Sequence, residues 1–336
     1  MADIVAIGEM LVDFTYTTLD NNEPAYKQNA GGAPANVVCM ASKLGASTGF
    51  IGKIGRDMFG FYLKKVLYDH KVDISGLILD PNYSTTLAFV KKNDEGDRDF
   101  VFYRSSHSSA DLNLRYGEVN RKMIDSCNIL HFGSLMLTAE PARTATINAV
   151  EYAKLQNKLI SYDPNWRPHL WDDKETALRA MRSAVKYADI VRVSEDELQL
   201  LTDCGGLLPA VAKLLQEGVR LICVTQGAKG CIIATAKEIN RFPSYDIKSV
   251  DTLGSGDSFL GAFLYKLNES GKMPEELDAE DIAEMAMFAN ACGALCSSKQ
   301  GAIPAMPEKS EIIELMKTKL DFTGCRWLSA RGSLFV

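Results

Sequence analysis

The residues with the most chemical potential lie in one run, Asp251-Thr252-Leu253-Gly254-Ser255-Gly256-Asp257-Ser258-Phe259. Two carboxylates six residues apart enclose glycines and a small hydroxyl residue. From Ser258 to Leu267 the chain is apolar, rich in Gly and Ala and free of breakers, which predicts a buried helix. Asp257 then sits at or near the helix N-terminus, with Gly254, Ser255 and Gly256 just before it. Unpaired N–H groups and the helix dipole favour an anion there, and glycines let a phosphate approach the backbone. A carboxylate beside such an anion hole can accept a proton from an attacking hydroxyl. Phosphoryl transfer needs a base, a cradle for the moving charge and a metal. On these residues alone Asp257 serves equally well as a helix N-cap and the glycines as a turn.

The run resembles the D-T-x-G-[AS]-G-D-x-F signature of the PfkB (ribokinase-like) sugar kinases. The resemblance implies that Asp257 is the catalytic base and that the backbone of Gly254, Ser255 and Gly256 forms the anion hole. A second match lies near the N-terminus. Gly31 and Gly32 open a loop-to-helix junction, and Asn36 offers a polyol both a donor and acceptors. Tight helix packing explains the same small residues. The family signature at this place implies that the glycine pair and Asn36 contact the sugar. Ala33 and Pro34 between them resemble fructokinases rather than ribokinases. Asp13, just past an apolar strand, matches the acidic residue that holds sugar hydroxyls. The segment Gly49–Asp57 is similar to the family's G-x-[IV]-G-x-D, with glycines read as architectural.

Other segments carry less determined chemistry. Asp163-Pro164-Asn165-Trp166-Arg167 through Trp171 resembles the D-x-N-x-R-x-x-L-W segment of fructokinases and 2-keto-3-deoxygluconate kinases. Asn165, Arg167 and Arg104 are expected to face the substrate, with a surface salt bridge as the alternative for each arginine. Phe102 is expected at the sugar, in the lid core or at a dimer contact, as are Phe89 and Phe100, with two of the three assigned to core. Ser194 replaces the asparagine of the family's N-x-x-E, and Glu197 is retained, which implies metal and phosphate handling. A helix start explains the same acids. Thr225, Gly227 and Gly230 match the turn against which the family sets its nucleotide, although a hairpin accounts for the glycines. Asn290 matches the helix beside the adenine, or is a buried structural amide. Asp251, with the loop from Cys296 to Ala305, matches a monovalent-cation site, so ATP, Mg²⁺ and a cation such as K⁺ are the implied cofactors.

The rest of the chain follows an alternating pattern of strands and helices. Strands are expected at 128–132, 158–162, 189–193, 220–225 and 231–235, with helices at 140–156 and 173–187. That alternation marks a mostly parallel sheet covered on both faces, an α/β fold. Residues 84–104 instead read as an inserted hairpin. With strands from 14–27 they suit a small β-sheet lid that excludes water, and the resemblance implies that such a lid also pairs two subunits. Residues 1–320 are therefore read as one ribokinase-like domain with a discontinuous lid from about 14–30 and 84–106. Residues 321–336 are a C-terminal extension of unknown role.

Composition bounds the rest. The 336 residues are 46% hydrophobic and 24% charged, with net charge −6, which does not invite nucleic acid or anionic lipid. No stretch reaches the roughly 20 apolar residues of a membrane span. The N-terminus lacks the basic start of a signal peptide, and eight cysteines without C-x-x-C spacing fit free thiols in a reducing cytoplasm. His131 is expected as a core residue. The reading is an ATP-dependent sugar kinase, most like a fructokinase. A 2-keto-3-deoxygluconate kinase and a non-catalytic sugar or nucleotide sensor are the alternatives.

Overall fold

The computed structural model describes residues 2–92, 98–318 and 327–328, with backbone alone for 92, 98–100 and 327–328. In chain order the elements begin with β1 (Ile4–Ile7), β2 (Leu11–Thr18), β3 (Pro24–Gly31), α1 (Ala33–Leu44), β4 (Thr48–Gly55) and α2 (Met58–Asp69). There follow β5 (Asp73–Asp80), β6 (Leu87–Lys92), β7 (Arg98–Tyr103), α3 (Arg121–Ser126), β8 (Ile129–Gly133) and α4 (Ala142–Leu155). Next come β9 (Leu159–Asp163), α5 (Lys174–Val185), β10 (Ile190–Ser194), α6 (Glu195–Thr202), α7 (Leu207–Gln216) and β11 (Leu221–Thr225). The chain closes with β12 (Cys231–Thr235), β13 (Ile239–Phe242), α8 (Ser255–Ser270), α9 (Ala279–Ser297), α10 (Lys309–Lys317) and the two-residue β14 (Trp327–Leu328).

The main sheet runs β14-β13-β12-β11-β10-β9-β8-β1-β4-β5. Every pair from β11 to β5 is parallel, and β12, β13 and β14 add antiparallel neighbours at one edge. Its strands are apolar on both faces because helices cover both. Alternation along β1 shows this directly: Ile4 and Ala6 enter one core, with α1, α8 and α9, while Val5 and Ile7 enter the other, with α4, α5 and α7. The chain leaves β1 toward β4 and β5, then returns to β8 on β1's other side. Ligands of open α/β sheets bind at such a reversal, beyond the carboxyl ends of the strands.

The small sheet has the order β3-β2-β6-β7. It starts at Leu11, earlier than the expected 14, because Leu11 already pairs with Gly31 and the Val12 N–H with the Thr86 carbonyl. Register puts Asp13, Ala88 and Phe102 on one face. The other carries Phe14 stacked on Phe89 at 5.0 Å, with Tyr16, Tyr26 and Tyr103 around them. Phe89 therefore belongs to the outer aromatic cluster. The Phe100 side chain and the 93–97 turn lie outside the described residues, as does the 321–336 extension apart from the β14 backbone. The Gly49–Asp57 segment is architectural. Asp57 caps α2 through the Gly60 N–H and accepts from the Thr85 N–H, both at 2.8 Å, which ties α2 to the segment that leads into β6. His131 is fully buried against Ser161 and is pushed down to about pKa 3 by that burial, so it is a neutral core residue.

Candidate active site

Helix α8 starts one residue after Gly254, which is its N-cap at φ +73°. The expectation that Gly254, Ser255 and Gly256 precede the helix is thus corrected: Ser255, Gly256 and Asp257 are its first three residues. Only a glycine satisfies the cap position, since an added Cβ would lie 2.5 Å from Ala302 Cβ. First-turn N–H groups have no carbonyl within the helix, so those of Gly256 and Asp257 remain as anion donors at the positive end of a 16-residue helix. Asp257 does not cap. Its Oδ2 instead accepts from Asn36 Nδ2 at 2.7 Å, joining residues 221 apart in the chain. This meeting depends on close packing of α1 on α8, where a Cβ on Gly261 would lie 2.6 Å from the Val37 carbonyl oxygen. Burial raises the Asp257 carboxyl above the ordinary carboxylate range, while Asn36, Arg192 and Arg167 pull it back.

A cavity of about 510 Å³ opens beside Asp257, lined by Asp13, Gly32, Asn36, Phe102, Asn165, Arg167, Ser194 and Glu197 among others. The glycine pair is there for clearance. A Cβ on Gly31 would lie 2.0 Å from Asp13 Oδ2, and one on Gly32, at φ +111°, would lie 2.5 Å from the Glu9 carbonyl oxygen. The Asn36 Oδ1 is buried with no hydrogen-bond partner among the described residues, which leaves an acceptor for a hydroxyl. Asn165 holds φ +44°, a conformation asparagine tolerates, and its N–H bonds to Asp163 Oδ1 at 2.9 Å. Arg167 donates to the Trp166 carbonyl and lines the cavity.

Arg104 is different. Its side chain is 2% exposed, with Nε on Asp111 Oδ2 at 2.8 Å, Nη1 on Thr138 Oγ1 and Nη2 on the Leu135 carbonyl. The structure therefore does not bring Arg104 to the cavity, nor leave it in a surface ion pair; it is a buried strut behind the lid strand. Two residues without a role in any of the motifs above, Glu9 and Arg192, line the cavity instead. Glu9 accepts the Ala33 N–H through Oε1 at 3.0 Å, and burial pushes its carboxyl up to about 7. Arg192, in β10, bonds Asp163 Oδ2 at 3.0 Å and Thr225 Oγ1 at 2.7 Å. A cation interrupting the apolar strand Ile190-Val191-Arg192-Val193 is a signal that marks it. Burial pushes Asp163 up to about 7, opposed mainly by Arg192.

A second cavity of about 400 Å³ lies across the first turn of α8. Thr225, Gly227, Gly230 and Asn290 line it, and Arg192, Ser194, Thr252, Ser255 and Gly256 line both cavities. Asn290 donates to the Phe242 and Pro243 carbonyls, so its amide also anchors the end of β13. The two residues expected to handle metal stand apart from each other. Glu197 accepts from the Trp166 and Ser194 N–H groups. Burial would raise it, but Arg192 and those donors hold it below the ordinary range. Asp251 lines neither cavity; it accepts from the Leu253 and Gly301 N–H groups and so joins the signature run to the 296–305 loop. No group of three potential metal ligands gathers among the described residues. Mg²⁺ in phosphoryl-transfer sites keeps waters and takes one or two carboxylates plus phosphate oxygens, so the cavity acids fit an ion carried in with a nucleotide.

Two cavities meeting at one helix N-terminus, with a carboxylate on one side, suit transfer of a phosphoryl group between two ligands. Comparisons with known proteins agree. The chain is 42% identical over 320 residues to probable fructokinase-5 of Arabidopsis thaliana, covering 94% of this chain and 98% of that protein. A fructokinase from Xylella fastidiosa solved with bound ATP superposes with a TM-score of 0.87 at 30% identity, covering 95% of this chain and 99% of that one. A fructokinase from Vibrio cholerae O395 solved with fructose, ADP and calcium gives 0.84 at 30% identity, covering 94% and 99%. The family described as pfkB family carbohydrate kinase matches residues 1–309, and this chain, an ATP-dependent carbohydrate kinase, belongs to it.

Proposed function

We propose that the chain phosphorylates D-fructose with ATP, giving fructose 6-phosphate and ADP. The observation that carries this reading is Asp257 on the wall of the larger cavity, hydrogen-bonded to Asn36 there and next in the chain to Ser255 and Gly256, which line both cavities. Asp13, Gly32 and Asn36 orient the sugar. Asp257 Oδ takes the proton of the attacking hydroxyl, a contribution worth about 10²–10⁴ in rate. The N–H groups of the first turn of α8 face the charge that develops on the phosphoryl oxygens. The nucleotide lies in the smaller cavity against Thr225, Gly227 and Gly230. When bound, Mg²⁺ would neutralise phosphate charge, with Glu197 on the wall of the larger cavity as the acid that would help hold it. A monovalent cation such as K⁺ belongs at the junction of Asp251 with the 296–305 loop. A sugar-acid acceptor is less well served, because Arg104 is committed elsewhere and, of the two arginines expected to face the substrate, only Arg167 is left to meet a carboxylate.

The outer lid face supports pairing of two copies, as Phe14, Phe89, Tyr26 and Tyr103 cluster there and Val101 and Tyr103 are 56% and 63% exposed. No single helix among the described residues is long and apolar enough to cross a membrane. The seven described cysteines are free, in keeping with a reducing compartment such as the cytoplasm.

ADP release with Mg-ATP, measured against fructose, ribose, 2-keto-3-deoxygluconate and fructose 6-phosphate, tests the reading. Strong preference for fructose is expected. Preference for the sugar acid overturns the substrate, and sugar and ATP binding without ADP release overturns catalysis. Light scattering after gel filtration tests the dimer, with a monomer as the opposing result.

A further inference from the structure

We propose that Arg192 is a positioning residue that couples the two cavities, so that sugar bound in one strengthens nucleotide binding in the other. This rests on the kinase reading above and adds to it a residue outside every motif that supports that reading. Strand β10 lies between β9 and β11. From it Arg192 reaches both neighbours: Nη1 donates to Asp163 Oδ2 at the end of β9, and Nη2 to Thr225 Oγ1 at the end of β11. Asp163 in turn accepts the N–H of Asn165, which lines the sugar cavity, while Thr225 lines the nucleotide cavity.

The third contact is with the anion hole. A Cβ built on Gly256 would lie 2.4 Å from Arg192 Nη2 and 2.7 Å from its Cζ, so the first turn of α8 rests directly on the guanidinium. One planar group therefore touches the sugar-side loop, the nucleotide-side strand end and the turn that meets the phosphoryl group. The Arg192 side chain is 12% exposed and its Asp163 partner 2%. Parting either bond leaves a buried polar group unpaired, which is costly, so the three segments shift together or not at all. A guanidinium holds two partners at a fixed angle, and an ammonium does not.

Coupling between sites is reciprocal, which makes it measurable from either side. The test is calorimetric titration of a non-hydrolysable ATP analogue with Mg²⁺, with and without saturating fructose or whichever acceptor the sugar panel turns over. The wild-type chain is compared with R192K, R192Q and D163N/R192Q. In the wild type, sugar is expected to lower the analogue's Kd about fivefold or more, and analogue to lower the sugar's Kd equally; in R192K and R192Q the factor falls to about one, while each ligand alone still binds. The double variant also removes the Asp163 carboxylate that R192Q would leave unpaired, and serves if R192Q does not fold. A wild type without coupling overturns the proposal. So do variants that weaken both ligands, or lose thermal stability, yet keep the wild-type factor. Failure of the fructose reading is seen separately, in the panel, and leaves the coupling test intact with the acceptor found there.

Discussion

The two cavities share a wall but are built from opposite materials. The larger cavity, proposed for the sugar, is walled by charged side chains from six places in the chain: Glu9 after β1, Asp13 on β2, Arg167 after β9, Arg192 on β10, Glu197 on α6 and Asp257 on α8. The smaller cavity, proposed for the nucleotide, shares Arg192 but is otherwise walled by Gly227, Gly230, small hydroxyls and apolar groups such as Tyr245, Ile247 and Phe259. A polyol must be recognised hydroxyl by hydroxyl and deprotonated at one of them, which takes directional groups and a base. A nucleotide is held by shape and by backbone donors, which take only small neighbours. The sugar side should therefore fail when atoms are removed, and the nucleotide side when atoms are added.

The sharpest way to break that contrast is Asp257→Asn. It should lower kcat by about 10²–10⁴, with the nucleotide Kd unchanged in calorimetry. A variant within tenfold of wild type would mean that Asp257 is not the base. Arg104→Met tests the converse, a charged residue beside the site but not of it. It strands Asp111 in the interior and should cost about 3–5 kcal/mol of stability in denaturant unfolding, with KM for both substrates near wild type. A selective rise in sugar KM would return Arg104 to the site.

Gly230→Ala adds one methyl on the nucleotide side, where φ is +99° and the new Cβ would lie 2.0 Å from the Phe242 carbonyl oxygen. Strain of about 1–3 kcal/mol is expected, read as a lower Tm and a raised ATP KM with the sugar KM unchanged. Asn36→Ala removes a donor from the Asp257 carboxylate, a bond of about 1.5–3 kcal/mol. The base works only when ionised, so kcat/KM falls as pH drops through the Asp257 pKa, which burial already holds above the usual range. Losing the Asn36 donor raises that pKa further. The acid limb of the pH profile should therefore move to higher pH, together with a higher sugar KM. A limb that stays in place would separate Asn36 from the base.

Much of the molecule was legible. The strands expected from apolar runs at 128–132, 158–162, 189–193, 220–225 and 231–235 all lie within a residue or two of β8 to β12, because strands buried on both faces leave continuous apolar stretches bounded by turns. The signature run and the glycine pair were legible because a helix cap at positive φ and close backbone contacts require particular small residues in fixed order. Arg104 and Arg192 were not. Both are arginines at strand ends or in strands, and nothing local tells which guanidinium meets a buried carboxylate behind the lid and which one underlies the anion hole.

The layered α/β fold, most of the small second sheet and the helix whose start carries Asp257 follow from the sequence, through local periodicity and residues with special backbone freedom. Tertiary structure alone decided that Asn36 meets Asp257 across 221 residues, through the clearance Gly261 leaves for α1, and that Arg192 rather than Arg104 stands between the cavities. The physical reason is that a side chain's charge is local but its partners are not. Which carboxylate, hydroxyl or helix end it finds is set by how sheet and helices pack, over distances that no spacing in the chain records.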